Sequence, residues 1–146
     1  MQRLFVLSLS ALIVTSPAQA KAVKWMDGPP GLPSGAKFTV VSGNPAKEGM
    51  FTIRTKLPAN YAVPPHHHPA DERVSVVSGG QLSYGMGEKL DRDHAGSLTK
   101  GYHVIMKAGM NHWVFNTDPV EIQVTAMGPF GITYADPKDD PRTPAK

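Results

Sequence analysis

Glycine and proline interrupt this chain so often that no long helix fits into it. Each occurs 14 times in 146 residues. A proline inside a helix removes a backbone hydrogen bond and clashes with the preceding turn, and glycine is a poor helix former. Between the breaks lie short runs suited to strands. They are Lys37 to Val41, Met50 to Thr55, Arg73 to Val77, Gln81 to Met86, Tyr102 to Met106, His112 to Asn116, Val120 to Thr125 and Gly131 to Tyr134. Strands at a spacing of roughly ten residues predict an all-β sandwich or barrel around one core. The polar stretch from Gly87 to Lys100 reads as a loop crossing between two halves of that fold.

The beginning of the chain reads differently. Arg3 is followed by an apolar run from Leu4 to Val14 and by Ser16-Pro17-Ala18-Gln19-Ala20, a small-x-small ending. This is the pattern of a secretory signal cleaved after Ala20. Residues 1–20 are therefore assigned to a signal peptide and the protein to the periplasm or the exterior, with no membrane attachment after cleavage. Cysteine is absent, so an exported chain would depend on core, turns, metal or association rather than on disulfides. The formal net charge is only +3 and no basic block stands out, which argues against nucleic acid as partner. Residues 21–59 form an arm and the first strands, with Trp25 and Met26 expected to pin the Pro/Gly-rich arm to the domain. Residues 60–135 hold the core, and the charged, proline-containing tail 136–146 is expected to be mobile.

The chemistry concentrates in Pro64-Pro65-His66-His67-His68-Pro69-Ala70-Asp71-Glu72. On an extended chain His66 and His68 point to the same side and His67 to the other. A slip of register would exchange them. Two imidazoles and the Glu72 carboxylate on one face are three ligands of a common kind of metal site. The alternative is a solvated histidine tract beside prolines.

This stretch and a second one together resemble the cupin superfamily. The first cupin motif, G-x5-H-x-H-x3,4-E-x6-G, falls on His66, His68, Glu72 and Gly79, with Asn60 in place of its leading glycine. Asn tolerates the left-handed conformation that glycine adopts there. The second motif, G-x5-P-x-G-x2-H-x3-N, falls on Gly101, Gly109, His112 and Asn116, with Lys107 in place of its proline. The resemblance implies a double-stranded β-helix, or jelly roll, in which His66, His68, Glu72 and His112 meet in the barrel mouth and bind one divalent transition metal. It also implies a homodimer.

Such a donor set suits Fe, Mn, Ni, Cu or Zn, and loading after export favours copper and zinc. Open positions on the cation would take a small-molecule substrate with oxygen donors. Glu72 is the candidate catalytic base. Val74 and Val76 share the parity of Glu72, and Val114 that of His112, so these face the site. Trp113 and Phe115 face away and, with the Trp25 arm, offer apolar surface for a second copy. Tyr84, Met86, Tyr102, Met106 and Arg54 are candidate substrate contacts. His94 and His103 read as surface residues, and Asn116 as a structural tie at a turn. Three functions fit. One is a metal-dependent enzyme, foremost a dioxygenase, acting on a small oxygen-rich or aromatic molecule. The second is a non-redox isomerase, epimerase or lyase with the same site. The third is a non-catalytic cupin that binds a small molecule or a metal.

Overall fold

The computed structural model describes residues 23–143, so the segment read as a signal lies outside the described residues. Among the described residues eleven strands follow one another: β1 (Met26–Asp27), β2 (Lys37–Ser42), β3 (Gly49–Leu57), β4 (Ala62–His67), β5 (Glu72–Gly79), β6 (Leu82–Met86), β7 (Gly96–Leu98), β8 (His103–Met106), β9 (His112–Phe115), β10 (Val120–Gly128) and β11 (Thr133–Tyr134). They build two antiparallel sheets, one in the order β1-β2-β3-β10-β5-β8 and the other in the order β11-β4-β9-β6-β7. The fold is a jelly roll. From β3 to β6 and again from β8 to β11 consecutive strands alternate between the sheets, so residues distant in sequence face each other across the interior.

Alternation decides which side chains meet. In β10, Val120, Ile122, Val124 and Ala126 are buried and the residues between them are not. Val74 and Val76 of β5 and Val114 of β9 join the same core. Asn60 has a φ of 57°, which is the left-handed role inferred from its motif position. Gly79 is required more strictly. Its φ is 87°, and a Cβ there would stand 2.4 Å from the Pro119 carbonyl oxygen.

The polar stretch after β6 is not all loop. It contains β7, which pairs with β6 and buries Leu98 to 3% exposure. A three-residue strand is too short to reveal its period in sequence. Trp113 does face away from the interior, yet it is 2% exposed. Its indole lies across Gly85, where a Cβ would sit 2.0 Å from the ring. The Arg92 guanidinium covers Phe115, 4.3 Å from its ring centre. Trp113 therefore offers no surface to a second copy, because this chain's own backbone already covers it.

Both ends of the described chain pack near the interior. Met26 pairs with Phe38, and the Lys56 ammonium sits 4.1 Å from the centre of the Trp25 ring. The arm that follows is tied by the Tyr61 hydroxyl, which donates to the Pro33 carbonyl at 2.5 Å, and by the Tyr134 hydroxyl, which donates to Gly31 at 2.8 Å. At the other end, a short 3-10 turn (Pro137–Asp139) leads to Arg142. Its guanidinium donates to the Ile132 carbonyl at 2.9 Å and ties residues 136–143 back to the domain. Among the described residues no helix is long and apolar enough to cross a membrane.

Candidate metal centre

Prolines 64 and 65 supply no amide hydrogens, and the β4–β9 register shifts between Val63 and His66. After the shift His66 pairs with His112. The order of strands thus brings the second-motif histidine beside the first-motif pair. One ring nitrogen from each of His66, His68 and His112 lies within 4.8 Å of the others, and all three residues are buried. Glu72 enters from the opposite sheet, at the start of β5. Its Oε2 is 3.5 Å from His68 Nε2 and 3.4 Å from His112 Nε2.

The backbone sets the chemistry of each ring. His66 Nδ1 contacts the Pro64 carbonyl at 2.7 Å, His68 Nδ1 that of Gly131 at 2.6 Å, and His112 Nδ1 that of Met110 at 3.0 Å. A carbonyl oxygen only accepts, so each Nδ1 carries the hydrogen. A neutral ring then leaves Nε2 as a bare lone pair. His112 Nε2 is fully buried and makes no hydrogen bond. Three lone pairs and a carboxylate face one another with no donor among them. That is costly as it stands, and one cation at their centre satisfies all of it. The residues therefore fit a divalent metal held by nitrogen and oxygen.

Burial, with the fields of His112 and His68, lowers the His66 pKa from 6.5 to about 3. Burial also lowers that of His68, against the pull of Glu72. Both rings are neutral near pH 7, as ligation requires. For Glu72, burial pushes the carboxyl up, but the contact with His112 and the fields of the three imidazoles outweigh it and hold it low. That pull belongs to a charged His112. The neutral ring, which donates through Nδ1, has no proton at Nε2 to offer.

The neighbouring residues fall where parity put them. His67 points outward and its ring nitrogen meets the Asn111 side-chain oxygen at 2.9 Å. Asn116 is 2% exposed and donates to the carbonyls of Pro58 and Asp118 at 2.6 and 2.8 Å, which is the tie expected of it. The donors open onto a cavity of about 470 Å³. The substrate contacts expected from sequence do not line it. Arg54 sits on the other face of its sheet, 3.6 Å from Glu121. Met86 and Tyr102 are exposed, Met106 is buried elsewhere in the core, and the Tyr84 ring packs over Gly96. The walls come instead from β3, β10 and two unforeseen segments, Pro29–Leu32 and Phe130–Ile132, with Arg142 alongside. Phe130 also stacks on the His68 ring, with centroids 4.3 Å apart and planes 20° apart.

No protein-family model matches the chain, and no curated protein matches it in sequence. Solved structures do match. The polyketide cyclase RemF from Streptomyces resistomycificus superimposes with a TM-score of 0.66 at 15% identity, over 88% of this chain and 90% of that one. The DMSP lyase DddQ from Ruegeria pomeroyi DSS-3 gives 0.60 at 20% identity, over 77% of this chain and 60% of that one. An oxalate oxidase gives 0.54 at 22% identity, over 75% of this chain and 59% of that one. All three are cupin-type proteins.

The fold is that of a cupin.

At these identities the likeness carries the fold alone, and this chain spans only about three fifths of DddQ and of the oxidase. The site rests on its own geometry.

Proposed function

We propose that His66, His68, His112 and Glu72 hold one divalent transition metal and that this cupin is an enzyme acting on a small molecule with oxygen donors. The observation that carries this is the set of three imidazoles, each oriented by a backbone carbonyl, facing a carboxylate beside a cavity. Storage or structure needs no chamber. When bound, the cation supplies Lewis acidity toward a substrate oxygen and, if redox-active, a path for electrons to dioxygen. The protein's part is to hold three neutral nitrogens rigid, to keep water out with the surrounding walls, and to offer the Glu72 carboxylate as a base for a substrate proton when it detaches from the cation.

Among reaction types we favour a dioxygenase, because nitrogen-rich ligation suits iron or copper and leaves open positions. Oxygen uptake by iron- or copper-loaded protein, screened over phenolic and enolisable compounds, tests this. Turnover that persists with zinc and without oxygen would reject it. The second reading is a non-redox lyase or cyclase. The likeness to DddQ and RemF favours it, since their names state a lyase and a cyclase. We further propose export after cleavage at Ala20 and a homodimer formed without Trp113. N-terminal sequencing of protein from the native cell and its mass in solution test these two points.

A further inference from the structure

The cavity beyond the histidines is much larger than a chelating group needs, and its walls say what else enters. Glu72 pairs with Ala126, Val74 with Val124 and Val76 with Ile122 across β5 and β10. The rows continue into β3, where Val124 meets Ile53 and Ile122 meets Thr55. Leaving Glu72 along this sheet, the interior offers alkyl groups only, until Thr55 two rows on. Four residues of β10 separate the rows of Glu72 and Thr55, roughly 14 Å of strand. The facing sheet adds Val63, Leu82 and Val114. Among the described lining residues other than the four donors, Thr55 is the one neutral side chain with a polar group. Arg142 is the one lysine or arginine there, and Asp140 holds it at 2.7–2.8 Å.

A polyhydroxylated ligand such as a sugar acid would lay its hydroxyls against these alkyl walls and lose water without gaining partners. An apolar body meets no such loss and gains by burial. A chamber of about 470 Å³ lies within the range of pockets for whole organic ligands. We infer that the site takes a ligand with one chelating oxygen head and an apolar body of ring size, carrying at most one polar group, opposite Thr55. The head rests on the metal reading above, while the body rests on the cavity walls alone.

Calorimetry on zinc-loaded protein with acetylacetone, benzoylacetone, dibenzoylmethane and glucuronate tests the inference. Each added ring is expected to tighten binding by at least about tenfold. Glucuronate is expected to bind no tighter than acetylacetone. Glucuronate binding more tightly than dibenzoylmethane would overturn the inference. Val124→Thr keeps the volume and sets a hydroxyl in the wall, so it is expected to weaken dibenzoylmethane several-fold and leave acetylacetone unchanged. Equal effects on both, or none, would count against the chamber as the seat of the body. Zinc titration by itself tests the metal reading. In zinc-free protein naphthalene is expected to raise the melting temperature, and its failure to do so would reject the apolar body whatever the metal result.

Discussion

Two kinds of chain surround the cavity, and they differ in what holds them. The four donors stand on or beside paired strands: His66 and His112 face each other across β4 and β9, and Glu72 starts β5. The mouth is made from segments outside regular pairing, Pro29–Leu32, Phe130–Ile132 and Arg142, fastened by tyrosine hydroxyls and a guanidinium. Strand pairing positions a side chain through many cooperative bonds. A loop is positioned by one or two contacts and tolerates change. The donors and the alkyl walls are therefore carried by the rigid part, and the adaptable part completes the lining. The two meet at His68, whose ring is stacked by Phe130 and whose Nδ1 bonds to Gly131.

The contrast is sharpest if a strand-borne donor is removed. His112→Ala is expected to cut zinc affinity by about a hundredfold or more while leaving the β-sheet circular dichroism unchanged. Metal content after dialysis reads it out, and retained stoichiometric zinc would break the comparison. Acid tests the same strands without mutation. In metal-free protein the depressed His66 pKa means that the native state binds fewer protons than the unfolded chain. Its contribution is complete above about pH 6.5 and drains away as pH falls toward 3, by on the order of a few kcal/mol. Urea unfolding across that range measures the slope, and a flat profile would contradict the buried neutral cluster.

A loop residue should matter less to the metal. Phe130→Ala removes the stack on His68 and an edge contact with Phe51. We expect about 2 kcal/mol of lost stability and about tenfold weaker zinc binding. A loss as large as that of His112→Ala would mean the loop is part of the ligand-bearing frame. The smallest effect belongs to Asn60. Asn60→Gly restores the motif glycine at a left-handed position and should change stability by less than about 1 kcal/mol, while Asn60→Ala should cost about 1 kcal/mol. Melting temperatures separate the two.

Parity explains how much of this was legible. The inward direction of His66, His68, Val74 and Val114, and the outward one of His67 and Trp113, follow from the two-residue period of an extended chain. Parity cannot say which face of a strand outside the motifs will be interior, because that depends on its partner. Arg54 and Tyr102, whose facing parity leaves open, both lie away from the cavity. Nor does parity survive a shift of register: Val63 and His66, three apart, both line the chamber.

Local spacing alone determined most of the strands, their alternation, the left-handed turn at Asn60 and the donors His66, His68 and Glu72, since each depends on residues a few positions apart. The tertiary structure decided that an arm at one end and an arginine near the other would close the mouth. It also decided that Gly85 of β6 would cover Trp113 and that the walls would be alkyl up to Thr55. These are contacts between segments as much as a hundred positions apart, as between Tyr134 and Gly31. Short-range periodicity carries no record of them, because they exist only once both sheets have closed.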